Sequence, residues 1–290
     1  MEDNSFFNLS KYYRLRLVSL FKFVTEKHIM KENFAVVTGA SRGLGKSFAQ
    51  ELAKEGNNLL LISLPNEGLA ALCKELEGQY DIKAISYETD LSKKENLYTL
   101  ADWINENYTI NTLINNVGIG GTRKFDEVPT SYIEKMIGLN VMATSILTHR
   151  LLPNLKARSK SNILNVSSLA GYSPIGYKTV YPASKAFVYS FSRGLYQELK
   201  DTSVCVSVVA PGPMKTNGNT TQRIEKQGFF ARITLLDPDN VARYCIKQLE
   251  KRKAVISVNS FSWLVLKLVP TRISLPIITN RFKKELDVGI

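Results

Sequence analysis

Phe34-Ala-Val-Val-Thr-Gly-Ala-Ser-Arg-Gly-Leu-Gly45 decides the fold of this 290-residue chain. Phe34 to Thr38 is a short, apolar, β-branched-rich run of the kind that forms a buried parallel strand. It leads straight into a turn spaced G-x-x-x-G-x-G, with glycines at 39, 43 and 45. Phe48, Leu52 and Ala53 then recur at helical spacing between Lys46 and Glu55, and Gly56 stops that helix before the next apolar run, Leu59-Leu-Leu-Ile62. This is a β-α-β unit. Glycine suits a backbone that must turn tightly, approach a pyrophosphate and pack helix close to strand, while the N–H groups at the helix start receive the phosphate. A glycine triplet alone is an ordinary turn; the strand before it and the helix after it supply the confirming context.

Working outward, the second informative stretch is Tyr181-Pro-Ala-Ser-Lys185, with Ser168 thirteen residues upstream of the tyrosine. A phenol has an unperturbed pKa of about 10, so a tyrosine needs a neighbour before it moves protons at neutral pH. If Tyr181 opens a helix, Lys185 lies at i+4 on the same face, where its ammonium stabilises the phenolate and lowers the phenol pKa. An isolated Y-x-x-x-K pair is more often two neighbours on an exposed helix. The glycine turn at the other end of the chain is what tips the balance toward chemistry.

Together, Thr38-Gly-Ala-Ser-Arg-Gly-Leu-Gly45 and Tyr181-Pro-Ala-Ser-Lys185 resemble the short-chain dehydrogenase/reductase family, and further segments follow in the family's order. Asp90-Leu91 resembles its adenine-contacting pair, Asn115-Asn-Val-Gly118 its Asn-Asn-Ala-Gly stretch, and Asn140 the asparagine that holds a proton-relay water. Asn165-Val-Ser-Ser168 ends in the serine that binds the substrate oxygen, and Pro211-Gly212 follows the sixth strand, Val204 to Ala210. The resemblance implies an α/β fold, a Rossmann-like doubly wound parallel sheet flanked by helices on both faces, in a single domain. It implies catalytic roles for Asn140, Ser168, Tyr181 and Lys185, with Ser167 a competing hydroxyl. Cofactor contacts are expected from Gly39, Ser41, Arg42, Gly43, Leu44 and Gly45 in the turn, and from Ser63, Asp90, Leu91, Asn116 and Gly118 beyond it. Tyr181, Lys185, Pro211, Gly212 and Met214 complete that set.

Two departures from the family pattern matter. Val117 stands where alanine is usual, and Ser63 ends the second strand where NAD-preferring members carry an acid. An acid there repels a 2′-phosphate, so Ser63 admits NADP(H), and Arg42 offers a cation suited to that phosphate. Against this, the position after Ser63, often arginine in NADP-preferring members, is Leu64. NADP(H) is therefore favoured, with NAD(H) left open.

The pattern of alternating elements runs from Phe34 to about Val258 without a linker-like stretch, so residues 31–290 read as one catalytic domain. A substrate lid is expected at about 212–236, where Phe229, Phe230, Ile233, Leu235 and Leu236 favour an apolar or acyl-type ketone such as a 3-oxoacyl compound. An apolar C-terminal segment is expected at about 254–290; its stretch Trp263 to Pro270 is too short and broken to span a membrane. Residues 1–30 form an N-terminal extension whose stretch Tyr12 to Phe23 mixes leucines, aromatics and cations, as an amphipathic helix lying on a membrane or packing on protein would.

The formal net charge of +12 suits anionic partners without selecting one, and no basic motif interleaved with aromatics points to nucleic acid. Cys73, Cys205 and Cys245 are widely spaced and fit a reducing, cytoplasmic setting, and neither they nor His28 and His149 form a metal pattern. The leading expectation is an NAD(P)(H)-dependent oxidoreductase interconverting a carbonyl and an alcohol. The alternatives are a cofactor-binding regulatory or scaffold protein and a peripheral membrane reductase of lipid-like substrates. The resemblance further implies a homodimer or homotetramer.

Overall fold

The computed structural model describes residues 33–214, 235–258 and 268–287. The expected N-terminal helix, most of the expected lid and residues 263–267 of the apolar C-terminal stretch lie outside the described residues. The first β-α-β unit forms as its pattern requires: β1 spans Asn33–Thr38, α1 spans Gly43–Lys54 and β2 spans Asn58–Ser63. The alternation continues through α2 (Leu69–Gln79), β3 (Ala84–Glu88), α3 (Lys94–Asn107) and β4 (Thr109–Asn115). Next come α4 (Thr130–Ile137), a π-helical turn (Gly138–Met142), α5 (Ala143–Lys156) and β5 (Ser161–Val166). The chain then forms α6 (Val180–Leu199), β6 (Val204–Val209), α7 (Pro238–Glu250), β7 (Val255–Ile256) and α8 (Thr271–Asp287).

Among the described residues, seven strands make one parallel sheet in the order β3-β2-β1-β4-β5-β6-β7. Successive strand residues point to opposite faces, and both faces are covered, so the strands read as continuous apolar runs. Ala35 and Val37 of β1 with Leu59 and Leu61 of β2 meet Phe48, Leu52, Leu72, Val241 and Leu249 from α1, α2 and α7. Phe34, Val36, Leu60 and Ile62 point the other way, onto Leu97, Ile104, Leu147, Leu151 and Leu199 from α3, α5 and α6. Each fully buried leucine or phenylalanine contributes about 1.5–3 kcal/mol of transfer free energy. This is the doubly wound arrangement expected from the sequence. Its strand order reverses between β1 and β4, where the two following connections diverge and open a crevice at the carboxyl ends of the strands.

Candidate active site

That crevice is a cleft of about 830 Å³. At one end lies the glycine turn. A Cβ on Gly45 would overlap the Gly39 carbonyl oxygen, so only glycine lets α1 start this close to β1. The turn is latched to β4: the Thr38 hydroxyl accepts the N–H of Asn116 at 3.0 Å and of Val117 at 3.1 Å. The Asn116 amide donates in return to the carbonyls of Thr38 at 2.9 Å and Gly39 at 3.2 Å. Arg42 is the N-cap of α1 but its side chain makes no cap hydrogen bond, and the first turn of α1 holds no acid. The helix therefore presents its N-terminal N–H groups and the positive end of its dipole to the cleft, which is the chemistry of a phosphate cradle.

At the adjoining edge, Ser63 is buried and its hydroxyl donates to the Leu64 carbonyl at 3.0 Å. An acid that the sequence reading passed over stands beside it. The Glu67 carboxylate accepts the Ser41 hydroxyl at 2.6 Å and pairs with the Arg42 guanidinium at 3.3 Å.

The other end of the cleft gathers Ser168, Tyr181 and Lys185. Tyr181 sits in the first turn of α6 and Ser168 just past β5, so their separation in sequence is closed by the packing of α6 along the sheet. The Ser168 hydroxyl accepts the Ala170 N–H at 3.2 Å and hydrogen-bonds the phenol of Tyr181. Ser167 points elsewhere: its hydroxyl donates to the Lys185 carbonyl at 2.7 Å and pins α6, which removes it as a rival. A Cβ on Gly120 would come within 2.9 Å of the Tyr181 ring, so the loop after β4 fits against the phenol only because that position is glycine.

Lys185 is 5% exposed, and its ammonium donates to the Val166 carbonyl at 2.9 Å. Burial pulls its pKa down to about 8. Burial likewise pushes the Tyr181 phenol above its ordinary value, with the Ser168 hydrogen bond offsetting part of the rise. The expected lowering of the phenol pKa by Lys185 is not among the causes of this shift, which desolvation dominates. The same desolvation excludes the reading of the two as neighbours on an exposed helix. Asn140 lies on the π-helical turn, fully buried, where its side chain clamps the backbone of Ile119 through two 2.9 Å hydrogen bonds and donates to Ser184 at 2.9 Å.

The family model for short chain dehydrogenase matches residues 33–227, more than half of the chain. The chain belongs to the short chain dehydrogenase family. Among curated relatives it is 41% identical over 182 residues to the very-long-chain 3-oxoacyl-CoA reductase of Anas platyrhynchos, a match covering 61% of this chain and 58% of the relative. The chain thus spans less than two thirds of that relative's length. It is 32% identical over 225 residues to the ketoacyl reductase HetN of Nostoc, covering 77% of each. Among solved structures, a short-chain dehydrogenase from Sphingobium yanoikuyae in complex with NADPH superposes with a TM-score of 0.71 at 24% identity, over 89% of this chain and 96% of that one.

The cleft of this short chain dehydrogenase is lined by nearly all of the residues singled out in the sequence, from Gly39 through Leu91 and Gly118 to Pro211, Gly212 and Met214. Asp90 and Asn140 are the two that do not line it. The Asp90 carboxylate turns back to accept the N–H and hydroxyl of Ser92, at 3.0 and 2.7 Å. Burial pushes that carboxyl up, but the Ser92 hydrogen bonds and the nearby Lys135 and Lys93 outweigh it and leave it below its ordinary value. Of the expected lid, the described ends are joined: Met214 bridges Leu236, whose N–H donates to the Pro213 carbonyl at 2.9 Å.

A cover that no motif announced comes from α8, which contributes Ile278, Arg281 and Phe282 to the cleft. It is held there by the Gly176 N–H donating to the Thr279 hydroxyl at 3.0 Å and by the Lys178 ammonium 4.5 Å from the Phe282 ring. The three cysteines are free and buried, and burial pushes their thiols upward, to about 11 at Cys73, so none is primed as a thiolate.

Proposed function

We propose that this chain is an NADP(H)-dependent reductase of the keto group of an acyl-type substrate, a 3-oxoacyl thioester or a close analogue, and that it accepts NAD(H) as well. The observation that carries the reading is one cleft holding an open helix N-terminus at one end and the hydrogen-bonded Ser168–Tyr181 pair at the other. The glycine turn, the bare N–H groups of α1 and the buried ammonium of Lys185 fit a nicotinamide dinucleotide. When bound, that cofactor supplies the hydride.

Tyr181 is the proton donor in this proposal. Its phenol is kept protonated at neutral pH by burial, which is the form that reduction needs. The Ser168 hydroxyl donates to the oxygen on which negative charge grows, and the phenol beside it hands over the proton. Lys185 has three donors and uses one on Val166, which leaves two for the cofactor ribose and for a proton path back to Tyr181. Asn140 acts as a positioning residue, fixing the Ile119 segment of the loop that packs against Tyr181.

Leu169, Ile175, Met214, Ile278 and Phe282 give the substrate end an apolar lining, and Lys178 and Arg281 add cations at the same end. An acyl chain with an anionic carrier matches both, in line with the 3-oxoacyl-CoA and ketoacyl reductases among the relatives. The full chain should oxidise NADPH in the presence of a 3-oxoacyl-CoA, followed at the nicotinamide absorbance. Tyr181→Phe should lose about 10²–10⁴-fold in kcat while binding NADPH unchanged. Turnover by Tyr181→Phe at the rate of the unmodified protein would sink the assignment.

Assembly as a homodimer or homotetramer is proposed through the outer face of α6, where Phe187 is exposed and stacks on Phe191 at 5.8 Å. A cytoplasmic location is supported by the three free cysteines, and peripheral membrane contact by exposed Ile273 and Ile277 on α8; among the described residues no helix is long and apolar enough to cross a membrane. A monomeric mass by light scattering, or failure to float with anionic vesicles, would count against each in turn.

A further inference from the structure

The acid that stands at the adenosine end of the cleft belongs to no motif of the sequence. β2 ends at Ser63, and in a β-α-β dinucleotide site this edge reads the adenosine ribose: an acid there accepts the ribose hydroxyls, and a nearby arginine takes a 2′-phosphate. Here the strand end carries a neutral hydroxyl, and the acid is delivered from four residues further on. Both oxygens of the Glu67 carboxylate are engaged, Oε2 by the Ser41 hydroxyl at 2.6 Å and Oε1 by the Arg42 guanidinium at 3.3 Å.

The loop backbone aims it there. Asn66 and Gly68 flank Glu67 with left-handed φ of 65° and 76°, and the Asn66 N–H donates to the Glu88 carboxylate at 3.4 Å, tying the loop to the end of β3. The two partners differ in freedom: the Glu67 side chain is 22% exposed, whereas that of Arg42 is 71% exposed. The guanidinium can therefore turn toward a phosphate, but the carboxylate stays.

We propose that Glu67 sets the cofactor balance of this cleft. It occupies Ser41 and Arg42, the groups that would otherwise meet a 2′-phosphate, and it offers an acceptor to unphosphorylated ribose hydroxyls. A 2′-phosphate must draw Arg42 away from Glu67 and then lie beside a fixed negative charge, so NADP(H) is bound less tightly than Arg42 alone would allow. NAD(H) meets no such repulsion. The charge at this position thus makes the site tolerant of both cofactors, whereas Ser63 and Arg42 by themselves would select NADP(H). This inference rests on the dehydrogenase reading proposed above, and its test is one of binding, not turnover.

Dissociation constants of NADPH, NADH, adenosine 2′,5′-bisphosphate and AMP would be measured by calorimetry on the full chain and on Glu67→Gln, Arg42→Ala and the double variant. The two short probes report the adenosine end without the nicotinamide. Glu67→Gln is expected to tighten NADPH and the bisphosphate about tenfold, while NADH and AMP hold steady or weaken about twofold. Arg42→Ala should weaken NADPH and the bisphosphate by about the same tenfold factor, and should remove most of the gain from Glu67→Gln in the double variant. If Glu67→Gln leaves the NADPH to NADH ratio unchanged, or shifts both equally as a purely structural role would, the assignment is overturned while the dehydrogenase reading stands. If the unmodified protein binds neither NADPH nor NADH, both fall together.

Discussion

The two ends of the cleft are built from opposite materials. At the reactive end, Lys185 and Asn140 are buried and a net of hydrogen bonds to Val166, Ile119 and Ser184 fixes them, with Ser168 and Tyr181 held against each other. At the adenosine end the working groups lie nearer solvent, and a charge pair between Arg42 and Glu67 joins them. Chemistry needs atoms held within tenths of an ångström, so it is placed on rigid, desolvated elements. Cofactor preference needs only the sign of a nearby charge, which exposed and exchangeable side chains can supply. Substitutions at Ser168 or Tyr181 should therefore change rate and leave cofactor binding alone, and those at the second end should do the reverse.

After Tyr181→Phe, the largest departure in rate is expected from Ser168→Ala, which removes the donor proposed to face the developing oxyanion and leaves the cofactor contacts intact. Its kcat for keto reduction should fall about 10²–10³-fold with the dissociation constant of NADPH unchanged; an equal loss in binding would erase the division between the ends. Gly45→Ala should act on the opposite quantity. Its methyl group would overlap the Gly39 carbonyl and push α1 off the turn, weakening nucleotide binding by about 1–3 kcal/mol in calorimetry. The reduction rate at saturating cofactor should stay within a small factor.

The smallest effect is in stability. Lowering the Lys185 pKa from 10.5 to about 8 corresponds to a burial cost of about 3 kcal/mol, part of it offset by the hydrogen bond to Val166. Because the folded pKa lies below the unfolded one, the folded chain binds fewer protons between about pH 8 and 10.5, and stability rises with pH through that window. The cost is thus fully present below pH 8. Lys185→Met should therefore stabilise the protein by about 1–2 kcal/mol at pH 7 while abolishing activity. Denaturant melts should show that advantage fading by about pH 10.5, and equal stability at pH 7 would show that the buried ammonium is better satisfied than its surroundings indicate.

Legibility followed the range of the forces involved. The β-α-β unit from Phe34 to Ile62 could be read directly, because continuous apolar runs, period-3.6 burial and the steric demand of the Gly39–Gly45 turn are properties of a few consecutive residues. The motifs at Ser168 and Tyr181 named their own residues, since the spacing of reactive groups along one strand and one helix is set locally. The direction of the Tyr181 shift was not legible, because it depends on how much water the neighbouring loops exclude. Glu67 left no signal at all, and α8 showed only as an apolar C-terminal segment with no place in the fold. One acts through a loop conformation that brings it back to Arg42, and the other through a docking contact between Gly176 and Thr279, a hundred residues apart in the chain.

What the residues alone settled is the parallel α/β architecture and the glycine turn that opens α1, since each follows from local backbone geometry that no packing alters. Only the folded structure decided which of Ser167 and Ser168 faces the phenol, that burial raises the proton affinity of Tyr181, and that the Glu67 carboxylate reaches back to Ser41 and Arg42. Those are questions of distance and desolvation between segments far apart in sequence, and they acquire an answer only once the sheet has brought the segments together.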